Sequence, residues 1–331
     1  MKMTRQSIGK KKVYKLAISE QVVGKWHKNV YLIISQLGYG ATGTVYLAKS
    51  HGGLGDLVAL KIAPDTMNIT SEVNVLRQLT QAKVQAPRLG PSFYDVDDYV
   101  TPKGTFPFYV MEYIVGEPFL PFVRKKGGEW LGILLIQLLN DLHDLHQSGW
   151  VFGDIKPENL IVEKKGNQLR WLDPGGMTKH GRSIKEYTEF FDRGYWGLGD
   201  RRAEPSYDLF SVSMLIINQA YPARFEKSES HNDRLLMKKV QVKDHLLPYS
   251  KVFQKGIAGK YRNALEMRKD LMYVVNHYRF STQGSKQVRR RSIKQLKTVK
   301  RPKKWVGVIE SIMVASFLLT LYILYLFGQG F

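Results

Sequence analysis

The first part of the chain alternates apolar and polar residues over short runs, which is typical of β-strands. Two runs, Val30–Leu37 and Thr44–Ala48, flank a glycine-rich segment, and a third, Leu57–Ile62, follows a glycine-rich turn at residues 51–55. The stretch Ser71–Gln81 then places its apolar residues at helical spacing. The pattern predicts an antiparallel meander of three strands followed by a helix.

The pattern changes in the second part of the chain. After a further predicted strand, Phe106–Ile114, the segment Trp130–His146 repeats leucine every three or four residues, which predicts an amphipathic helix. From Tyr207 onward the periodicity is mostly helical. A β-rich first part and an α-rich second part predict an α+β fold of two lobes.

A last apolar run, Val306–Phe327, contains one charged residue, Glu310, near its start. A helix of this length spans about 33 Å, which matches a hydrocarbon core of about 30 Å. Trp305 precedes the run, and tyrosines lie near its other end, as in the aromatic belt of a membrane span. We predict a transmembrane helix at residues 305–328; the alternative is a buried C-terminal helix of a soluble domain.

Charge divides the 331-residue chain further. The net charge is +21, and most of it lies in residues 1–30 and in residues 282–305, where ten Lys and Arg stand without an acid. We therefore predict a basic N-terminal arm (1–30), a globular domain (31–280), a basic juxtamembrane linker (281–304) and the membrane helix. The positive-inside rule predicts a single-pass protein of the cell membrane, with its domain cytoplasmic and its C-terminal tail outside. The absence of cysteine excludes disulfides, thiolate zinc sites and cysteine nucleophiles.

The glycine-rich segment Gly38–Val45 and the strand that carries Lys61 form the first candidate site. Glycines let backbone N–H groups approach phosphate oxygens, although a plain hairpin or a dinucleotide loop has the same composition. A dinucleotide loop should open a helix, whereas here a strand follows. A lysine in an apolar strand needs an anionic partner unless it lies at an edge, and Glu72 on the next helix is the natural candidate.

A second group of polar residues follows the long apolar helix. Asp154, Lys156 and Asn159 precede a short predicted hairpin (residues 160–162 and 169–172), and Asp173 follows it. Three oxygen ligands and a lysine would meet at one end of this hairpin, and hard oxygen ligands suit Mg²⁺. Taken singly, each segment also fits an ordinary polar turn.

In this order and spacing, these motifs resemble the Hanks-type serine/threonine protein kinases across residues 31–280. The resemblance implies a bilobal fold, with an N-lobe at about 31–114 and a C-lobe at about 115–280. It also implies ATP, Mg²⁺ with Mn²⁺ as an alternative, and protein substrates. The whole architecture resembles the sensor-less, membrane-anchored kinases of spore-forming Gram-positive bacteria, which implies a role in sporulation.

The resemblance also implies a role for each site residue. Asp154 would accept the proton of the substrate hydroxyl, and Lys156 would neutralise the transferred phosphoryl group. The metal ligands would be Asn159 and Asp173, and the structural supports Phe152 and Asp208. The residues that would bind ATP are Leu37, Gly38, Gly40, Gly43, Val45, Ala59, Lys61, Glu72, Met111, Glu112, Ile114 and Ile161.

Three segments depart from the family pattern. Gly153 replaces the arginine that precedes the catalytic aspartate, and Pro174 replaces the phenylalanine of the metal-binding motif. The segment Ala203–Pro205 reverses the usual order at the end of the activation segment, where Glu204 would pair with a late basic residue such as Arg262. The chemical groups are all present, so we expect an active enzyme; the alternatives are a catalytically weak kinase-fold scaffold that tethers a polyanion to the membrane and a phosphotransferase for small molecules.

The basic linker suits a polyanion. Its candidate contacts are Arg289, Arg290, Arg291, Lys294 and Lys297, and both anionic lipid and duplex DNA bound without sequence specificity remain open as partners. DNA-stimulated autophosphorylation is a hypothesis, with acceptors at Thr178, Ser183 or Thr188. Gly307, Ser311 and Ala315 form a small-residue face that would allow self-association of the membrane helix.

Overall fold

The structure is a computed structural model, and it describes residues 14–40, 42–51, 56–82, 90–277 and 306–328. The chain divides into two compact units, residues 1–278 and residues 279–331. The first unit contains the predicted globular domain, and the second contains a C-terminal helix. The predicted linker contacts at residues 289–297 lie outside the described residues.

The N-lobe is built on an antiparallel sheet of six strands in the order β1-β2-β3-β4-β6-β5. One helix, α1 (Thr66–Ala82), packs on β5 and β6 and contributes Ile69, Val73 and Leu76 to a buried cluster. The predicted meander and helix are present. The strands are β1 (Gln21–Val23), β2 (Val30–Gly40), β3 (Gly43–Ser50), β4 (Leu57–Ile62), β5 (Phe93–Thr101) and β6 (Gly104–Glu112).

Part of the predicted N-terminal arm belongs to this lobe. Strand β1 pairs with β2, and Leu16 and Val22 are buried in the same cluster as Tyr31 and Tyr46. The backbone N–H of Leu16 also donates to the Tyr46 hydroxyl at 3.1 Å. Residues 14–30 therefore extend the sheet, although the sequence predicted a domain that begins at 31; a strand of three residues is too short to show a period. Residues 1–13 lie outside the described residues.

Strand β5 was not predicted because its three aspartates resemble a polar loop. Asp95 and Asp97 are buried, and the turn between β1 and β2 supplies their hydrogen-bond donors. The backbone N–H groups of Trp26 and His27 donate to Asp97, while the Tyr31 hydroxyl donates to Asp95 at 2.6 Å. The acids of β5 thus hold the N-terminal turn against the sheet.

The C-lobe is mainly helical and encloses the larger core. The leucines predicted to line one face of α3 are all buried, and α4 is buried along most of its length. The helices are α2 (Phe119–Lys126), α3 (Gly128–Gln147), α4 (Pro205–Ala220), α5 (Asn232–Gln241), α6 (Ser250–Ile257) and α7 (264–277). The short strands are β7 (Gly116–Pro118), β8 (Trp150–Val151), β9 (Leu160–Glu163), β10 (Leu169–Trp171) and β11 (Thr178–Lys179).

The second unit contains helix α8 (Val306–Gly328), whose side chains are described at residues 310–325 and are all exposed. Within the described parts of the chain, no helix was found that is long and apolar enough to cross a membrane. The helix is therefore present, and its transmembrane placement stays a prediction.

Candidate active site

Lys61 and Glu72 form a buried ion pair between β4 and α1. The lysine Nζ lies 2.7 Å from Oε2 and 2.8 Å from Oε1 of the glutamate, and the Tyr109 hydroxyl donates to Oε2 at 2.8 Å. Tyr109 faces the same side of the sheet because it is the register partner of Lys61 on β6. Burial alone would lower the pKa of Lys61, but the carboxylates of Asp173 and Glu72 outweigh it and raise the pKa. The lysine is therefore a fixed cation.

The loop between β8 and β9 gathers polar groups around Asp154. Lys156 Nζ donates to Asp154 Oδ2, and the Asn159 amide donates to the Asp154 backbone oxygen at 2.9 Å and to Oδ2 at 3.2 Å. Thr188 donates its hydroxyl to Asp154 Oδ1 at 2.9 Å and accepts from Lys156 at 3.1 Å. The structure thus brings together the three predicted residues of this loop and adds a threonine from the activation segment.

Asp173 connects this loop to the ion pair of the N-lobe. It follows β10, its Oδ1 lies 3.7 Å from Lys61 Nζ, and the Gly175 N–H donates to that oxygen at 2.9 Å. The carboxylate is 43% exposed, so a ligand can reach it. Lys61 therefore lies between a carboxylate of each lobe.

Asn159 and Asp173 fit a divalent ion whose coordination is completed by phosphate oxygens. The Asn159 amide nitrogen is committed to Asp154, which leaves the amide oxygen as its possible metal ligand. In the described residues no group of three or more His, Cys, Asp or Glu could hold a metal ion. Mg²⁺ commonly binds one or two protein carboxylates together with substrate phosphates, and the pair Asn159 and Asp173 suits that mode.

Asp208 supports the catalytic loop from the start of α4. This fully buried carboxylate accepts the N–H of Phe152 at 2.8 Å and the N–H of Gly153 at 2.9 Å. His146, at the end of α3, adds Nε2 at 2.8 Å, and nothing in the sequence distinguishes it from the other polar residues of this amphipathic helix. Phe152 packs edge-to-face on Trp171 within the core. Both predicted supports therefore lie directly beneath Asp154.

Gly153 is required by its backbone and by its surroundings. Its φ is +83°, a region that favours glycine. A Cβ at this position would lie 2.6 Å from the carbonyl oxygen of Gly176, well inside normal contact distance. The arginine of the family pattern would need a Cβ here, for which this conformation leaves no room, so glycine at this position is part of the local fold.

The remaining predicted nucleotide contacts lie mostly on the strands of the N-lobe sheet. Met111 and Ala59 are buried register partners on β6 and β4, Val45 lies opposite Lys61 on β3, and Leu37 is half exposed on β2. Ile114 is buried after β6, and Ile161 lies on β9. A Cβ at Gly38 or Gly40 would meet open space, which leaves their backbone accessible to a ligand, whereas at Gly43 it would lie 2.4 Å from the Ile62 carbonyl oxygen.

The side chain of Glu112 has a second role that the sequence did not reveal. It accepts Arg170 Nη2 at 2.9 Å and the Ser92 N–H at 3.0 Å, while Arg170 also donates to the Gly90 carbonyl oxygen at 3.0 Å. Arg170 lies on β10 of the C-lobe and is buried. The pair therefore links the two lobes behind the predicted adenine pocket.

The end of the activation segment differs from the prediction. Glu204 lies 3.9 Å from Arg202 and 4.0 Å from Arg193, whereas Arg262 lies 3.5 Å from Glu266. The segment Ala203–Pro205 opens α4, with the proline at its first helical position.

Asp192 is the buried acid of this segment. It is fully buried and accepts Arg201 at 2.7 Å, the Tyr207 hydroxyl at 3.0 Å and the backbone N–H of Tyr195 at 2.9 Å. No sequence pattern marks this acid, because its donors lie between 2 and 15 residues away on an irregular segment and on α4.

The family model described as protein kinase domain matches residues 31–290 of this chain. The chain belongs to the protein kinase family. Serine/threonine-protein kinase YabT of Bacillus subtilis (strain 168) is 42% identical over an alignment of 321 residues, which covers 92% of this chain and 93% of that protein. Two further relatives are matched over less than half of this chain. Serine/threonine-protein kinase pkn3 of Myxococcus xanthus is 28% identical over 45% of this chain and 28% of its own length. Sporulation protein kinase mde3 of Schizosaccharomyces pombe is 29% identical over 40% of this chain and 25% of its own length.

These matches agree with the geometry of the site. The chain is a serine/threonine protein kinase with a β-rich N-lobe and a helical C-lobe, and the family implies ATP and a divalent metal ion.

Proposed function

We propose that this kinase uses Mg²⁺ and ATP to phosphorylate serine and threonine hydroxyls of protein substrates and of other copies of itself. The observation that carries the proposal is the cluster in which Lys61 meets both Glu72 and Asp173 while Asp154 lies beside Lys156. Phosphoryl transfer uses groups of these charges, and the role of each residue is carried over from the family.

The oxygen of the substrate hydroxyl attacks the γ-phosphorus of ATP, and the proton of that hydroxyl moves to Asp154. Lys156, already bound to the same carboxylate, places a positive charge beside the transferred phosphoryl group. Lys61 binds the α- and β-phosphates and is held in place by Glu72. A divalent ion bound by Asn159 and Asp173 would neutralise charge on the phosphate oxygens.

The proposal includes a membrane anchor at the C-terminus, with the kinase domain in the cytoplasm. The sequence of residues 306–327 carries a single charge, and the described side chains of α8 are exposed on every face. A helix that is apolar all round needs a protein core or a bilayer around it. Fractionation of cells that produce the full chain tests this step. Release of the kinase by salt or alkaline carbonate would refute the anchor, whereas release by detergent alone supports it.

Duplex DNA is the proposed stimulus. Residues 282–305 carry ten basic residues and no acid, and such a segment binds the phosphate backbone with an affinity that falls steeply with salt. Bound DNA would gather several copies and so favour phosphorylation between them. Anionic lipid is the competing ligand of the same segment, and it requires no DNA.

Transfer of ³²P from ATP to a protein acceptor tests the catalytic proposal. We expect Lys61→Ala and Asp154→Ala to abolish transfer, while Lys164→Ala, in an exposed turn of the C-lobe, leaves it unchanged. Absence of transfer by the wild-type protein would favour a scaffold that tethers a polyanion to the membrane. Transfer that survives both site changes would contradict the assigned roles.

The stimulus is tested with the same assay at low salt. Duplex DNA, anionic vesicles and neutral vesicles are added separately to the full chain in detergent. Stimulation by DNA that is lost when Arg289, Arg290 and Arg291 are changed to glutamine supports the proposal. Equal activity with and without DNA refutes it, and stimulation by anionic vesicles alone assigns the segment to lipid.

A further inference from the structure

The three hydroxyls predicted as acceptors in the activation segment have different environments. Thr178 is fully buried and donates to the Gly176 carbonyl oxygen at 2.9 Å. Thr188 donates to the catalytic Asp154 of its own chain. Ser183 is exposed, and among the described residues no hydrogen bond of its side chain is found. Of the three, Ser183 is the one whose side chain is exposed and has no hydrogen bond to another described residue.

Ser183 lies directly opposite Arg202 in a short antiparallel pair of chain segments. The Ala203 N–H donates to the Arg182 carbonyl oxygen at 2.7 Å, and the Ile184 N–H donates to the Arg201 carbonyl oxygen at 2.9 Å. These bonds flank the Ser183–Arg202 position, which makes it a non-hydrogen-bonded pair. Opposed Cα atoms in such pairs are about 4.5 Å apart, and their side chains share one face. The serine hydroxyl and the guanidinium group therefore face the same side.

That face adjoins a basic cavity. Ile184 and Ala203, the neighbours of this pair, are buried in a core cluster, so Ser183 and Arg202 face the other way. Gly181, Arg202 and Glu204 are among the residues that line a cavity of about 580 Å³, together with His180, Lys260 and Arg262. Two arginines and a lysine thus surround a single acid. The cavity also lies at the N-terminus of α4, whose dipole favours an anion.

We propose that Ser183 is a phosphorylation site and that Arg202, with Lys260 and Arg262 across the cavity, binds the resulting phosphate. Phosphoserine carries close to two negative charges at neutral pH and pairs well with a guanidinium group. Arg202 is accessible for this role because it is 62% exposed and its carboxylate partner, Glu204, is as far as 3.9 Å away.

The phosphorylation step rests on the kinase activity proposed above. Ser183 Oγ attacks the γ-phosphorus of ATP bound by a second copy, a new O–P bond forms, and the bond from the γ-phosphorus to the bridging β–γ oxygen breaks. ADP leaves, and the hydroxyl proton moves to Asp154 of the second copy. The products are phosphoserine 183 and ADP.

Phosphosite mapping tests this step. Active wild-type protein and ATP are incubated with an inactive Lys61→Ala acceptor, and a second acceptor carries Lys61→Ala together with Ser183→Ala. We expect phosphate at Ser183 of the first acceptor and a loss of at least half of the total transfer to the second. Transfer that proceeds equally to both acceptors, at other residues, would overturn the inference while leaving the kinase activity intact.

Binding of the phosphate is tested without using the kinase activity. Phosphoserine is installed at position 183 during translation, and its second pKa is measured by ³¹P NMR. A guanidinium group in contact lowers that pKa by about one unit or more from its usual value of about 6, and Arg202→Gln should restore it. Arg182→Gln is the matched control, because this neighbouring arginine lies on the opposite face of the pair. An unshifted pKa in the wild-type sequence, or an equal change in both variants, would overturn the inference.

Discussion

Gly153→Ala adds one methyl group immediately before the catalytic aspartate. The residue has φ of +83°, and the new Cβ would lie 2.6 Å from the carbonyl oxygen of Gly176. A Cβ at Gly176 would in turn lie 2.8 Å from Cβ of Asp154, so the two glycines pack the segment after Asp173 against the loop that carries Asp154. The substitution must push these two segments apart.

The cost has two parts that can be separated. A left-handed backbone conformation costs a residue with a Cβ about 1–2 kcal/mol. The overlap with the Gly176 carbonyl oxygen adds a further cost of about 1–3 kcal/mol, because backbone has to move. We therefore expect Gly153→Ala to lower the free energy of unfolding by about 2–5 kcal/mol. A displacement of Asp154 by about 1 Å would also lower kcat by about 100-fold.

The matched control is Gly149→Ala. Gly149 has φ of +80°, and a Cβ there would have no heavy atom within 4 Å, so this variant has the backbone cost alone. Urea unfolding measures the free energies, and steady-state phosphorylation of a peptide measures kcat. Gly153→Ala should be less stable than Gly149→Ala and much slower, while Gly149→Ala keeps wild-type kcat. Equal stability and equal kcat of the two variants would refute the steric argument.

Three further predictions concern ion pairs. Lys61→Met should lower the free energy of unfolding by about 3–5 kcal/mol, because it leaves the charge of Glu72 buried without its partner. Adding Glu72→Gln to this variant should restore stability but not phosphoryl transfer. Recovery of phosphoryl transfer in the double variant would contradict the role of the lysine. Arg170→Met breaks the partly buried contact between the lobes and should lower the free energy of unfolding in urea by on the order of 3 kcal/mol. Arg224→Met breaks a more exposed ion pair and should lower it by under about 1 kcal/mol. Equal decreases in the two variants would refute a stabilising role of the contact between the lobes. A hydrogen bond to Asp95 raises the pKa of His27, so the stabilisation of the fold by protonated His27 is complete below about pH 6.5 and is lost as the pH rises through the raised pKa. In a plot of the urea unfolding midpoint against pH, His27→Gln should remove the fall over this pH range. An unchanged plot would refute the contribution of His27.

The elements with a regular period were predictable from the sequence. Strands β2 to β4 and helix α3 follow their apolar patterns closely, and the hairpin of β9 and β10 places Asn159 and Asp173 at one end of the site. The pairing of Lys61 with Glu72 was also predictable, because a lysine in an apolar strand requires an anion. These features depend on local pattern or on simple charge complementarity.

The features that the sequence did not reveal depend on partners far away along the chain. In the sequence, strand β5 has the composition of an acidic loop. In the structure, residues of the N-terminal turn, about 70 positions earlier in the chain, donate hydrogen bonds to Asp97. Arg170 and Glu112, which pair across the two lobes, are 58 residues apart in the sequence. His146 and Asp208, which share a hydrogen bond, are 62 residues apart. No local period records such contacts, so only the folded chain shows them.

The catalytic loop and the activation segment are joined without an arginine before the catalytic aspartate. Thr188 contacts Asp154 directly, and Arg201 holds the buried Asp192 at the far end of the segment. Because Gly153 and Gly176 pack backbone against backbone, a long cationic side chain cannot enter between the two segments. A phosphate at Ser183, as proposed above, would instead meet Arg202, which lies opposite Ser183 and lines the adjoining basic cavity.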